Sequence, residues 1–370
     1  MRLHVAVVGG GAVGVTAAHD LACDGADVTL FERDELASGS SGRAAGVCYS
    51  AFPHAVDAAN GRRSLARFRA LSESRDDFEF TSCPYVWFAH EGDTERCEGV
   101  REQVTQMKAV GADVSLVSPE ALRAEFPALE TAGIGVAARC DDAGYTEPAT
   151  YVRAMGAAAR EVGVSIEENM PVRLAESGKL RTPTETHEFD AVVLATGVQT
   201  KQVLAEIGIP IPMKPYRVQA FTTDQTPVSE EIPMTYDATE GFYFRPRQGG
   251  LLVGDGTELF ERDPDDYPKD ADEEFVETNR ARVERRVAFE PAVSRAWAGM
   301  CGATADFDPL VGELRDGLYV ACGFQGHGFM RAPAIGERLA TQVLGGEGIQ
   351  AFDPRRFRGD EEFEIVEGLS

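Results

Sequence analysis

The strongest constraint on this chain is in residues 3–34, LHVAVVGGGAVGVTAAHDLACDGADVTLFERD. Leu3–Val8 is a short apolar, β-branched run, the signature of a parallel strand buried on both faces. It runs into Gly9-Gly10-Gly11-Ala12-Val13-Gly14, a G-x-G-x-x-G. Val13–Cys23 suits a helix with Gly25 as its stop, and Asp27–Phe31 a second strand that ends at Glu32. Gly9 permits the tight turn, Gly11 lets a pyrophosphate reach the backbone, and Gly14 lets helix and strand pack closely. The helix start offers unpaired N–H groups and a partial positive charge to phosphate. A carboxylate at Glu32 can accept two ribose hydroxyls and repels a 2′-phosphate. Strand, turn, helix and acid together predict a dinucleotide site, without separating NAD from FAD.

Composition narrows the partners. Sixty-one acidic residues against thirty-six basic ones give a formal charge of −25. Nucleic acid and anionic membrane are poor partners for such a chain. Lysine is nearly absent and the acidity is spread throughout, a composition like that of salt-adapted, haloarchaeal cytoplasmic proteins. The seven cysteines, at 23, 48, 83, 97, 140, 301 and 322, form no C-x-x-C pair or zinc cluster. Reduced thiols, no metal centre and a cytoplasmic location are expected. No run approaches the ~20 apolar residues of a membrane span, and no signal-type segment opens the sequence.

Further along, LASGSSGRAAGVCYS (36–50) reads as a loop and helix start lying along the cofactor. Ser40, Ser41 and the Gly42 backbone would hold phosphate, with Arg43 as a fixed positive charge. A helix is expected over 62–80, then a strand at Tyr85–Ala89, a helix at Thr94–Gly111 and a strand at Val114–Val117. Ser118-Pro119-Glu120 starts another helix, Asp141–Pro148 is a turn, and Ala149–Val162 is a helix. Short strands follow at Ser165–Glu168 and Val172–Ala175. Phe189–Gly197 is a buried strand whose end, Ala195-Thr196-Gly197, would face the dinucleotide. Residues 211–300 alternate as antiparallel strands do, with an acidic connector and a helix at Glu273–Val287. Gly317–Gly328 returns to a buried strand and glycine-rich turn, and Phe329–Leu344 is the last helix. The fold class predicted is α/β: a Rossmann-like dinucleotide domain (1–80, 141–206, 301–370) interleaved with an α+β substrate domain (81–140, 207–300) on a mostly antiparallel sheet.

The motif set resembles the D-amino-acid oxidase superfamily of FAD enzymes, which includes glycine oxidase, sarcosine oxidase and dimethylglycine dehydrogenase. The matching stretches are VVGGGAVG at 7–14, LFER at 30–33, SGSSGRAAG at 38–46, ATG at 195–197 and FYFRPRQGGLLVG at 242–254. They continue with WAGMCGATADFDPLVGEL at 297–314, GLYVACGFQGHGFMRAPAIGERLA at 317–340 and FDPRRF at 352–357. The resemblance implies FAD extended across the sheet, with Glu32 on the ribose, Arg33 beside it and the Val172 backbone at adenine. Ser40–Gly46, including Ala44 and Ala45, would follow the pyrophosphate and flavin. Gly323, Gly326, His327, Gly328, Phe329 and Met330 would close on the flavin's pyrimidine end.

It also implies a substrate that is a small amino acid or N-methyl amino acid, oxidised at its C–N bond by hydride transfer to flavin, the imine then being hydrolysed. An electron acceptor, oxygen or a carrier, completes the cycle. The chain departs from its relatives at three places. Met330 stands where sarcosine oxidases have a carboxylate-binding lysine, and Cys301 where glycine oxidases have a carboxylate-binding arginine. Leu252 replaces an oxygen-activating lysine, which leans the reading toward a dehydrogenase. Tyr243 matches a substrate-facing tyrosine, and the carboxylate fork falls to Arg245, Arg331, Arg217 or Arg43. Arg245 is favoured because it shares a strand face with Tyr243. Cys301 coincides with a flavinylated cysteine of monomeric sarcosine oxidases; non-covalent FAD is expected, with a thioether as the alternative. Two other readings stay open. One is a 2-hydroxyacid dehydrogenase using His327 as base. The other is a cofactor-holding subunit of a larger dehydrogenase.

Overall fold

The computed structural model describes residues 2–176, 178–226 and 231–366. Its first sheet has six strands in the order Leu310–Arg315, Leu318–Cys322, Ala191–Leu194, His4–Val8, Asp27–Phe31, Ser165–Glu167. All neighbours are parallel except the edge hairpin of the first two. His4–Val8 is central, with Val5 opposite Val28 on one side and Ala191 on the other. A strand covered on both faces has to be apolar throughout, as this one is. Its side chains alternate between two cores. Val5 and Val7 pack under a layer of four helices, Ala12–Cys23, Ala55–Ser74, Pro148–Glu161 and Gly328–Val343. Ala6 and Val8 pack with Leu174, Leu180 and Phe189 of the opposite face, where Arg173–Glu188 folds as a three-stranded meander.

The second sheet has eight strands in the order Val293–Thr304, Met213–Thr223, Gly250–Asp255, Phe242–Arg247, Met234–Asp237, Tyr85–His90, Ile134–Cys140, Val114–Val117. It is antiparallel but for the pairing of Met234–Asp237 with Tyr85–His90. Helix Thr94–Ala109 begins at Asp93, whose carboxylate accepts from the Arg96 N–H, and helix Pro119–Glu125 at Ser118, which accepts from Ala121.

The mixed α/β architecture agrees with the sequence, two local readings are corrected, and one strand is added. The helix expected at 62–80 is Ala55–Ser74. It begins right after Pro53-His54, and Phe78 and Phe80 leave it to pack into the core. The turn at Asp141–Pro148 holds a strand, Ala143–Tyr145, which pairs with Val47–Tyr49 and Thr81–Ser82. Strand Ile134–Cys140 went unforeseen because IGVAARC is short and small-residued, and its pairing partners on both sides come from elsewhere in the chain. Among the described residues no helix is long and apolar enough to cross a membrane, and no cluster of side chains could hold a metal ion.

Candidate functional site

The site begins at the first turn. Gly9 has φ +112° and its N–H donates to the Phe31 carbonyl at 2.8 Å. The helix Ala12–Cys23 starts directly after Gly11, which offers no side-chain cap; apart from the Ala12 N–H, which Ser41 takes, its first amides are left for a ligand. Glu32 stands beside them. Its carboxylate accepts from the Gly10 N–H at 2.6 Å and the Asp34 N–H at 3.0 Å. Met170 donates to the Glu32 carbonyl, and Val172, two residues on, packs half-buried on the cluster that contains Phe31. Arg33 does not line the cleft; it pairs with Asp34 and, at 2.9 Å, with Asp265.

The loop after the second strand is pinned over this turn. The Ser41 hydroxyl accepts from the Ala12 N–H at 3.0 Å, Ser40 donates to the Met300 carbonyl at 2.7 Å, and the Trp297 indole donates to the Arg43 carbonyl at 3.1 Å. Arg43 turns its guanidinium back onto the Ser38 and Gly39 carbonyls. Gly42 packs on the Ala37 carbonyl behind the lining.

One cleft then runs the length of the site. Gly11, Ala12 and Val13 line one end, and Ser40, Ser41 and Arg43–Gly46 the middle with Ala195 and Gly197. Tyr243, Cys301, Gly323, Gly326, His327, Gly328, Phe329 and Met330 line the other end. Thr196 sits between two lining residues, its hydroxyl 2.9 Å from that of Thr200. The first and last glycine turns, about 310 residues apart in sequence, therefore share one cavity. At the far end, helix Gly328–Val343 starts without a side-chain cap and points its amino end at the cleft.

The side chains at that end divide sharply. Tyr243 lies over Gly254, where an added Cβ would stand 2.1 Å from the phenol oxygen. Burial, with Asp255 and Cys301 nearby, raises its pKa and holds it neutral. Burial pushes the Cys301 thiol up to about 12, so the thiolate that would attack a flavin is not populated at neutral pH. His327 is pulled down to about 3 by burial and by Arg331, and is neutral; Tyr49 Oη lies 3.3 Å from its Nε2.

Arg245 is corrected. It is fully buried, away from the cleft lining. Its Nε donates to the Ala45 carbonyl, Nη1 to Pro246 and Nη2 to the Thr146 carbonyl and Glu147 carboxylate, at 2.6 to 3.2 Å. Those bonds brace the loop that forms the cleft and leave no fork for a substrate. Arg217 is equally committed, to Glu258, Asp272 and the carbonyls of Pro268 and Asp270. Arg331 differs. It is 6% exposed, its Nη1 lies 2.9 Å from Asp57 Oδ1, and its Nε has no hydrogen-bond partner.

The sequence did not single out Asp57, Tyr49 or Tyr85, the last two of which line the cleft. The alternation in Tyr85-Val-Trp87 held a signal, since residues two apart share a sheet face. For Asp57, one acid in the first turn of a helix, there was none.

A cleft joining a glycine turn to the amino end of a second helix, with the Glu32 carboxylate bonded to that turn, fits an oxidoreductase of the dinucleotide-binding class. The chain belongs to the DAO family of FAD dependent oxidoreductases, whose family model matches residues 4–342. It is similar to 4-methylaminobutanoate oxidase (formaldehyde-forming) of Paenarthrobacter nicotinovorans, 27% identical over 97% of this chain and 46% of that protein. It is also similar to glycine oxidase of Bacillus licheniformis, 26% identical over 96% of this chain and 98% of that protein. Among solved structures it matches L-proline dehydrogenase from P. horikoshii, with TM-score 0.87 and 27% identity over 96% and 97% of the two chains. The chain spans about half the length of the 4-methylaminobutanoate oxidase and dimethylglycine dehydrogenase relatives it matches. FAD is the cofactor of this family, and the residues here fit it: a turn too tight for any Cβ at Gly9 or Gly14, a carboxylate at Glu32, and one cavity that reaches both turns.

Burial of neutral His327 predicts a pH signature. Its folded pKa lies below that of the unfolded chain, so its contribution to stability is complete above pH ~6.5 and is lost as pH falls toward 3, by up to about 1.4 kcal/mol per pH unit. Chemical denaturation across pH 4–7 is expected to show a shallower slope in His327→Gln; equal slopes would refute the assignment.

Proposed function

We propose that this enzyme oxidises a small amino acid or N-methyl amino acid at its C–N bond, releasing an imine that water hydrolyses. The observation that carries the reading is Arg331. It is a buried guanidinium with an unspent Nε–H, lining a chamber that adjoins the cleft at Tyr49 and His327, while Arg217 and Arg245 are consumed by structural bonds. The names of the relatives support the substrate class.

In this reading the Gly11 and Val13 amides, with the Ser41 hydroxyl held by Ala12, would hold the diphosphate, Glu32 the ribose, Val172 the adenine, and Ser40–Gly46 with Gly323–Met330 the flavin. FAD supplies the two-electron acceptor for the hydride that leaves the carbon bearing nitrogen. Arg331 takes the carboxylate and so orients that carbon. Tyr243, neutral and wedged on Gly254, bounds the site from the sheet side. The amino end of helix Gly328–Val343 stabilises negative charge arriving at the cleft end. The aromatic walls exclude water. An amine bound neutral needs no protein base, whereas a hydroxy acid does, and His327 at about 3 is too weak to serve. Cys301 remains a neutral thiol and the flavin is non-covalent, so acid precipitation is expected to leave the yellow colour in the supernatant; colour in the pellet would overturn this. Residues 1–80, 141–206 and 301–370 form the cofactor part, which also contributes Arg331 and Asp57 to the substrate, and 81–140 and 207–300 the substrate part.

Anaerobic bleaching of the holoenzyme by amino, N-methylamino and 2-hydroxy acids tests the reaction. Amines are expected to bleach it and hydroxy acids to leave it yellow; the reverse overturns the reading. Arg331→Ala is expected to raise the half-saturating amine concentration about 30- to 1000-fold, equivalent to roughly 2–4 kcal/mol, with little change in limiting rate. An unchanged half-saturation would remove Arg331 as the anchor.

A further inference from the structure

Past the flavin end of the cleft a second chamber of about 870 Å³ opens, sharing Tyr49, Tyr85, Gln325 and His327 with it. Resting on the amine-oxidation reading above, we propose that this chamber is a side-chain pocket. The substrate is then an amino or N-methylamino acid with an apolar substituent well beyond the size of a methyl group, its carboxylate on Arg331.

Three observations support it. First, the Asp57–Arg331 pair is in contact yet misaligned: neither Asp57 Oδ1 nor Arg331 Nε makes a hydrogen bond, although both residues are more than nine-tenths buried. Buried polar atoms are seldom left so, and a bound ligand is one of the things that satisfies them. The unspent Nε–H, with the outer edge of the guanidinium, suits a carboxylate, and Asp57 fixes the fork in place.

Second, an unbroken aromatic belt leads away from that fork. Arg331 lies 4.7 Å above Phe52, Phe52 is 5.3 Å from Tyr49, Tyr49 stacks on Tyr85 at 4.6 Å, and Tyr85 stacks on Trp87 at 5.8 Å. Trp87 at the far end also lines the chamber, its indole Nε1–H buried without an acceptor. The volume falls in the range that takes organic ligands many times the size of glycine.

Third, several charged groups at the rim are matched to one another, while the Glu95 and Asp308 carboxylates also line the chamber. Glu240 holds Arg285 at 2.7 Å, Asp306 holds Arg356 at 2.8 Å, and Asp93 holds Arg96 at 3.2 Å. Of the two guanidiniums that line the chamber, Arg96 is held by Asp93 and Arg331 keeps an unspent Nε–H, so Arg331 is the cation left for a carboxylate, with the aromatic belt beside it for an apolar body.

The test compares anaerobic flavin reduction of the FAD-loaded chain by sarcosine and by N-methylphenylalanine. The half-saturating concentration is expected to be at least about tenfold lower for the second, because its ring leaves water for the belt. Ala238→Phe, which fills the chamber from its wall, is expected to bring that ratio close to one. Equal or tighter saturation by sarcosine, or a ratio that survives Ala238→Phe, overturns the pocket but leaves the amine oxidation standing. If no amine reduces the flavin, the amine reading fails instead. Perturbation of the flavin spectrum by acetate and 3-phenylpropanoate then decides the pocket separately: about tenfold tighter 3-phenylpropanoate supports it, and equal affinities refute it.

Discussion

Gly14→Ala is expected to purify without its flavin. An added Cβ would sit 1.9 Å from the Gly9 carbonyl oxygen and 3.3 Å from the Ala195 Cβ. The obstacle is backbone, so it cannot rotate away, and the helix Ala12–Cys23 has to retreat from the strand. Overpacking of this kind costs about 1–3 kcal/mol. The larger effect is on the ligand, since the retreating helix start carries the Val13 amide, and the Ser41 hydroxyl bonded to Ala12, away from the diphosphate. Flavin absorbance per chain is expected to fall at least about tenfold after FAD reconstitution. Gly39→Ala, in the same site but with open space around its Cβ and φ of −83°, is the matched control and should stay yellow. A yellow Gly14→Ala would mean that the turn does not seat the diphosphate.

Arg245→Ala is expected to cost about 3–5 kcal/mol of folding free energy, read from denaturant unfolding, because it strips the carbonyls of Ala45, Thr146 and Pro246 of their donor and opens a cavity in a fully buried site. Ala45 and Gly46 line the cleft, so flavin affinity should fall with stability. Half-saturation by amine, measured on the FAD-loaded fraction, should hardly move. A variant of unchanged stability that saturates poorly would restore Arg245 as the carboxylate fork.

These two residues show where sequence reading stops. Gly14 was legible because its constraint is local: strand, turn and helix are contiguous, and a glycine three residues after Gly11 at a helix start has few other purposes. Glu32 and the Asp27–Phe31 strand belong to the same contiguous unit. Arg245 was legible only in part. Two-residue periodicity places it on one face with Tyr243, but says nothing of what stands opposite that face. Tyr243 meets the cleft, while Arg245 meets Ala45 and Glu147, respectively 200 and 98 positions away. Asp57 lies still further out of reach, since an acid in a first helical turn is ordinary until Arg331 is folded against it.

The residues alone determined the dinucleotide turn, the buried parallel strands, the antiparallel second sheet and the family, since each is written in contiguous stretches whose period and glycine spacing allow few backbones. Tertiary structure decided which arginine has a donor to spare, that His327 is neutral, and that a second chamber lies beyond the flavin end. Those depend on burial and on which distant groups pair, and hydrogen-bond satisfaction is settled only when the eight-stranded sheet and the helical layer close over one cleft.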